Sequence, residues 1–272
     1  MRLSALPPLR EALDAAGIGA DKRFGQHFLL DLNICRKIAK LSDILDGERV
    51  LEVGPGPGGL TRALLEAGAR VTAVEKDSRF LPLLTELAIA AGGALTVIHA
   101  DALDLDETAV VGAGASIVAN LPYNIGSPLL VKWLTGLLEP RTMTLMFQVE
   151  VARRIVAGHG EADYGRLAVL VQALASPSIV LSLPARAFTP PPKVDSAVVR
   201  LIPRVERPTE PLVASLQAVT AAAFGQRRKM LRSSLKAVGG AELCVAAGVD
   251  PTSRAETVPV DRFLAMAALR IG

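Results

Sequence analysis

The sequence predicts an α/β fold, a mainly parallel sheet covered by helices on both faces, followed by a small all-helical domain. Three observations carry this. From Arg49 onward, short and almost continuously apolar runs alternate with segments of helical character, the pattern of strands buried on both faces of a parallel sheet. The first of those runs ends in a glycine-rich turn that opens a helix. Beyond Arg204 the strand-like runs stop, and each later segment reads as a helix bounded by Gly or Pro.

Taken in order, "RVLEVG" reads as the first strand and "GGLTRALLEAG" as a helix ending at Gly68. The strand "RVTAVE", the helix "DSRFLPLLTELAIAAG" and the strand "LTVIHA" follow. "SIVANLP" is a fourth strand, "SPLLVKWLTGLLE" a helix, and "TMTLMFQVE" a fifth strand running into the helical "VARRIVAG". "RLAVLVQALAS" is expected to be a sixth strand, and "SAVVRLIPR" to add an edge strand. Four helices are expected after that, in "EPLVASLQAVTAAAFG", "QRRKMLRSSLKAVGG", "AELCVAAG" and "VDRFLAMAALRIG". The expected boundary lies near Pro203 to Pro211, giving a domain over 1–204 with an N-terminal helical extension and a second over 205–272.

Composition bounds the function. Of 272 residues, 50% are hydrophobic and 21% charged, enough apolar content for a substantial core. No apolar run approaches the ~20 residues of a membrane span. The N-terminal "MRLSALPPLREALDAAG" lacks the long apolar centre of a signal peptide. Cys35 and Cys244 are the only cysteines, which disfavours a disulfide framework or a cysteine zinc site and suggests the cytoplasm. No metal is expected. Charge is uneven: from Val205 to the end, nine Lys/Arg face six Asp/Glu, the whole of the net +3. An anionic partner for the C-terminal part is the corresponding expectation.

"LEVGPGPGGLT" places Gly54, Gly56 and Gly59 in the G-x-G-x-x-G pattern of dinucleotide sites, so NAD is one candidate. Glycines let a ligand approach the backbone closely, and a helix start offers free N–H groups. Glu75 closes the second strand, where a carboxylate can accept from ribose hydroxyls. Both features serve S-adenosylmethionine equally. Glu52, with Pro55 and Pro57 between the glycines, makes an E-x-G-x-G-x-G pattern similar to the first motif of methyltransferases. The prolines also remove N–H donors that a pyrophosphate needs. Asp101 ends the third strand and can accept from the amine of an adenine; a turn or helix-cap role stays open for it.

Asn120 ends the fourth strand, in "NLPY". The amine of a nucleobase is a poor nucleophile because its lone pair is delocalised into the ring. Methylating it requires positioning the nitrogen and restoring that lone pair. The Asn120 side-chain oxygen and the Leu121 carbonyl, both accepting from the amine, would do so. Pro122 fixes the chain so that this carbonyl can face the site. Tyr123 offers a flat face for an unstacked base. No strong general base is needed, so catalysis rests on orientation.

Seven motifs in order, "KRFGQHFL", "LEVGPGPGGLT", "VEKD", "HADAL", "NLPYNI", "FTPPPKVDSAV" and "FGQRRKMLRSSL", closely resemble the ribosomal RNA adenine dimethyltransferases. Among them the bacterial small-subunit type, acting on two adjacent adenines in the 3′-terminal hairpin of 16S rRNA, is the most similar. The resemblance implies a Rossmann-like domain using S-adenosylmethionine, a cytoplasmic monomer, and a substrate within a small-subunit precursor. Residue by residue it implies His27 and Leu29 beside Gly54 at the methionine end of the cofactor. Glu75 would lie at the ribose, Asp101 at the adenine, and Asn120 between cofactor and target. The resemblance makes Phe188 a second aromatic over the flipped base, with core packing its structural alternative. In "GQRRKMLRSSLK", Arg228 and Arg232 are expected on one basic helix face, either plain solvated surface or a phosphate contact with structured RNA. Arg153 with Arg154, and Lys22 with Arg23, are candidates to extend that surface. Three readings remain beside this one: a 23S rRNA methyltransferase of the macrolide-resistance type, a largely non-catalytic 30S assembly factor, and a nicotinamide enzyme.

Overall fold

A computed structural model of the chain describes residues 3–21, 25–226 and 228–272; Lys22, Arg23, Phe24 and Arg227 of the motifs above lie outside the described residues. Two helices come first, α1 (Leu9–Ala16) and α2 (Leu32–Leu41). Asp31 starts α2 by accepting the Asn33 N–H at 2.8 Å. Then β1 (Arg49–Val53), α3 (Gly59–Glu66), β2 (Arg70–Glu75), α4 (Leu81–Ala90) and β3 (Leu95–His99) alternate. They are followed by α5 (Glu107–Val111), β4 (Ser116–Asn120), α6 (Gly126–Thr135), β5 (Met143–Gln148) and α7 (Val149–Val156). The rest comprises α8 (Arg166–Leu174), β6 (Ala175–Leu183), β7 (Ser196–Pro203), α9 (Glu210–Phe224), α10 (Leu231–Ser234), α11 (Gly240–Ala246) and α12 (Val260–Ala268).

The sheet runs β3-β2-β1-β4-β5-β7-β6. Strands β1 to β5 are parallel, and β7 pairs antiparallel to β5 with Met143 opposite Leu201 and Gln148 opposite Ser196. The order grows outward from β1 in one direction and from β4 in the other. Right-handed crossovers therefore place the helices between β1 and β3 on one face and those between β3 and β5 on the other, and leave a crevice at the carboxyl ends of β1 and β4. Val50, Leu51, Ile117, Leu145 and Val199 are wholly buried in the strands, as a sheet covered on both faces requires.

The chain divides into two compact units, Met1–Ala152 with Ile179–Ile202, and Arg153–Ser178 with Pro203–Gly272. The second unit thus draws on an internal segment, where the sequence reading drew one boundary near Pro203. Within that unit α9 packs against α8 and α12. The Phe224 ring lies 6.0 Å from Tyr164 and 5.5 Å from Phe263, and the Tyr164 hydroxyl donates to the Val258 carbonyl at 2.9 Å.

Three expected elements differ. "RLAVLVQALAS" is mostly the helix α8, and the strand comes after it as β6. Its residues are buried nearly all round, so no amphipathic period distinguishes helix from strand. β7 sits inside the sheet, between β5 and β6, and β6 takes the edge. "QRRKMLRSSLKAVGG" is not one helix: Met230 is extended, α10 starts only at Leu231, and Arg228 lies in a turn before it. Leu231 and Leu235 are buried as the apolar spacing implies, but Arg228 and Arg232 do not share a helix face.

One ionic network ties the first unit together. Arg141 grips Glu48 through Nε and Nη2, each at 2.8 Å, and Ser116 donates to the same carboxylate. Burial alone would raise the Glu48 carboxyl, yet Arg141, the Leu45 N–H and Ser116 together hold it below its ordinary range. A depressed carboxyl contributes stability above its unfolded pKa, about 4.3, that is lost as pH falls through the folded value. Arg141 is 34% exposed, which places the cost of Arg141→Met below that of a fully buried pair, at about 2 kcal/mol. Thermal melts should show that deficit in full at neutral pH and shrinking below about pH 4. A deficit independent of pH would mean that the methylenes of Arg141, and not its charge, matter.

Candidate functional site

Four parallel strands deliver their last residues to one crevice. Glu52 and Val53 come from β1, Glu75 from β2, Asp101 from just beyond β3 and Asn120 from β4. They border a cleft of about 250 Å³, with His27 and Leu29 of the N-terminal segment on another side. His27, Leu29, Gly54, Glu75, Asp101, Asn120, Leu121 and Tyr123 are thus brought together, from stretches up to 96 residues apart.

The glycine loop follows from its backbone. Gly54, Gly56 and Gly58 adopt φ of 70°, 52° and 84°, a region costly to residues with a Cβ. Gly59, the third glycine of the pattern, serves packing: a Cβ there would meet the Leu29 carbonyl at 2.8 Å and Leu9 at 2.9 Å. The loop's amides are already engaged. Gly54 N–H donates to the Val74 carbonyl at 2.9 Å, Gly58 N–H to the Pro55 carbonyl at 2.9 Å, and Gly56 N–H to Glu75 Oε2 at 3.0 Å. Pro55 and Pro57 have none. Glu52 is wholly buried, with Thr61 of α3 near enough to oppose the rise of its carboxyl. With the Gly54, Gly56 and Gly58 amides taken and no N–H on either proline, the loop offers a pyrophosphate few donors.

The three carboxyls differ in electrostatic state. Burial pushes Glu52 up to about 8, and the neighbouring Glu75 adds to the rise while Thr61 opposes it. Burial also raises Glu75, against the N–H groups of Asp77, at 2.8 Å from Oε1, and Gly56. Asp101 is held low, first by Lys76, whose Nζ lies 2.6 Å from Oδ2, and then by the Leu103 N–H at 3.0 Å from Oδ1. Each oxygen of Glu75 and Asp101 thus has one partner in place and further lone-pair capacity.

At the end of β4, the Asn120 Nδ2 donates to the His27 carbonyl at 3.5 Å. Leu121 is buried and contributes to the lining of the cleft. The Pro122 carbonyl accepts from Ile125 at 3.1 Å and Gly126 at 3.2 Å, turning the chain into α6. Tyr123 is fixed at both ends: its hydroxyl is 2.7 Å from Ser196 Oγ on β7, and its ring stacks on His27 at 5.6 Å and 29°. Burial raises the Tyr123 phenol, so it stays neutral near pH 7. His27 Nδ1 lies 2.8 Å from the Pro190 carbonyl.

Phe188 is the exception among the expected residues. It does not line the cleft; it is 3% exposed and packs in the core cluster that holds Phe28 and Phe80. The backbone bridge between Phe28 and Thr189, 2.9 Å in both directions, draws it there. The aromatic that does face Tyr123 is His27. Sequence reasoning did not assign Glu52, Lys76 or Ser196 a place at the site. Glu52 was visible in the motif; Ser196 acts across 73 residues and left no local signal.

Among the described residues, no group of three or more His, Cys, Asp or Glu is placed to hold a metal ion, and no helix is long and apolar enough to cross a membrane.

Comparison with known proteins agrees with this geometry. The sequence profile of the family described as ribosomal RNA adenine dimethylase matches residues 19–270. The chain is 65% identical to ribosomal RNA small subunit methyltransferase A of Phenylobacterium zucineum, over 98% of this chain and 94% of that protein. It is 61% identical to the protein of that name from Caulobacter vibrioides, over 93% and 98%. Among solved structures it is similar to a dimethyladenosine transferase from Plasmodium falciparum, with a TM-score of 0.73, 26% identity and coverage of 88% and 96%. It is also similar to the 23S rRNA methyltransferase ErmE, with a TM-score of 0.71, 26% identity and coverage of 90% and 100%. This chain belongs to the ribosomal RNA adenine dimethylase family.

Proposed function

We propose that the chain is an S-adenosylmethionine-dependent enzyme that dimethylates the N6 nitrogens of two adjacent adenines in the 3′-terminal hairpin of 16S rRNA, during assembly of the small ribosomal subunit in the cytoplasm. The observation that carries this is the Asn120–Leu121–Pro122–Tyr123 corner, set at the end of β4 beside the glycine loop of β1. The small-subunit names of curated relatives at 65% and 61% identity favour 16S over 23S RNA, since ErmE is similar at 26%.

The residues of the cleft fit the cofactor better than they fit NAD. The loop's engaged amides and the Glu52 carboxyl do not suit a pyrophosphate, whereas a ligand without phosphate does not require them. Glu75 would hold the ribose hydroxyls, Asp101 the adenine amine, and Gly54 with the His27–Leu29 segment the methionine end. When bound, S-adenosylmethionine supplies a methyl carbon made electrophilic by its sulfonium sulfur.

The rest of the chemistry belongs to the chain. Asn120 Oδ1 and the Leu121 carbonyl accept from the target amine and turn its lone pair out of conjugation. Tyr123, immobilised by Ser196, provides the face on which the extruded base stacks. Extrusion costs a few kcal/mol and stacking returns ~1–3 kcal/mol. Neither Tyr123, raised by burial, nor Asp101, paired with Lys76, is suited to act as a base. The proton leaves the methylated nitrogen to water. In the second unit Arg228, Lys229, Arg232 and Lys236 are exposed close together in sequence, a cationic stretch fit for RNA phosphates.

Cells lacking this protein should lose dimethyladenosine from 16S rRNA, read by mass spectrometry of the digested RNA. The wild-type chain should restore it and Asn120→Ala should not. In purified enzyme that substitution should slow transfer by about 10²–10³-fold while weakening S-adenosylhomocysteine binding far less. Dimethyladenosine missing from 23S RNA instead would overturn the substrate assignment.

Glu52 gives a pH signature. Its raised folded pKa means that its stabilising contribution is complete below about pH 4.3 and lost as pH rises toward about 8. Against Glu52→Gln, which cannot titrate, the wild type should therefore lose relative stability between about pH 5 and pH 8, by roughly 5 °C in Tm. Parallel Tm-versus-pH curves for the two proteins would show that Glu52 does not titrate in this window.

A further inference from the structure

Asp101 and the two residues after it form one wall of the cleft, and they belong to a short loop with little secondary structure of its own. What holds that loop lies on α6. Lys132 Nζ is 2.8 Å from the Ala102 carbonyl, 2.6 Å from the Leu105 carbonyl and 2.9 Å from Glu107 Oε1. An ammonium has three N–H donors, and here all three have acceptors on residues 102–107. Trp133, the next residue, donates its indole N–H to the same Glu107 oxygen at 2.7 Å, and both side chains are buried. The Asp104 N–H closes a turn on the Asp101 carbonyl at 3.1 Å; Ala102 lies within that turn and Leu105 directly follows it. α6 is the helix that the Asn120–Tyr123 corner launches.

We infer that Lys132 is a positioning residue that sets the Asp101–Leu103 wall against the cofactor's adenine end, and that Lys132 with Glu107 joins this wall to the helix carrying the target-base corner. The inference rests on the cofactor reading above. A lysine that only closed a surface loop would not direct every donor at one turn. The positive charge of Lys132 also faces Asp101 at longer range than Lys76 does. Lys76 is largely exposed and can move with solvent, whereas Lys132 is anchored.

The test is calorimetric titration of the full-length protein with S-adenosylhomocysteine and with adenosine, alongside steady-state kinetics. Lys132→Met should raise the Kd of both ligands by about tenfold and raise KM for S-adenosylmethionine similarly, with kcat at saturation within twofold of wild type. Lys132→Arg should recover part of the affinity. Trp133 is the only tryptophan of the chain, so ligand-induced changes in its emission should be present in wild type and reduced in Lys132→Met. If Lys132→Met does not fold, Glu107→Gln replaces it, with an expected two- to fivefold rise in Kd. Unchanged ligand affinity in the folded variant, whatever its Tm, would overturn the inference. A wild-type protein that binds neither ligand would instead overturn the cofactor reading.

Discussion

The amide inventory of one loop governs what the first unit can bind. Between β1 and α3 the backbone turns through three left-handed glycines, and each of those amides ends on a protein acceptor, Val74, Glu75 or Pro55. Two prolines supply no donors, and Glu52 two residues before the loop's first glycine is buried and raised in pKa. The loop therefore gives proximity without anion recognition. Polar recognition passes to the ends of the next strands, Glu75 from β2, Asp101 after β3 and Asn120 from β4, each contributing a different group to one crevice. The parallel order of β3-β2-β1-β4 makes that division possible, because all four strands end on the same side.

Those groups are also graded in charge. Glu52 is buried and favours its neutral form near pH 7, Glu75 is raised by burial but steadied by two amides, and Asp101 near the rim is ionised beside Lys76. Three ionised carboxylates in the interior of one cleft would repel each other and lose hydration. Keeping the deepest one protonated avoids most of that cost. Around Asn120 the contacts fix orientation: the carboxamide Nδ2 is turned to the His27 carbonyl, and the Tyr123 ring is held at two points.

Much of this was legible in the sequence because its determinants are local. A glycine after an apolar run, an acid at the end of the next run and Asn-x-Pro-Tyr at the end of the fourth are read without knowing what lies opposite. Errors came where the deciding contact is remote. α8 is buried nearly all round, so its apolar character does not reveal its period. β7 is an interior strand only because β6 pairs beyond it. Phe188, whose alternative reading is core packing, lies in the core beside the bridge that Thr189 makes to Phe28, 161 residues earlier. The helix expected across Arg228 and Arg232 fails at Met230, whose extended backbone delays α10 until Leu231.

The long-range contacts also explain why distant motifs occur together in one chain. "GQHFL" and "FTPPPKVDS" are far apart in sequence but form one strap in space: Phe28 pairs with Thr189, His27 reaches the Pro190 carbonyl, and Ser196 reaches Tyr123. At its other end the N-terminal piece is fastened by Gln26, which donates to Asp77 at 2.8 Å and accepts from Arg79 at 3.2 Å. Asp77 is itself held ionised, first by Arg79 and then by Gln26. The residues that flank the Asn120 corner therefore answer to anchors on β2's following turn and on β7. A substitution in either anchor reaches the Asn120–Tyr123 corner through the backbone of His27 or the ring of Tyr123, without any change in the corner's own sequence.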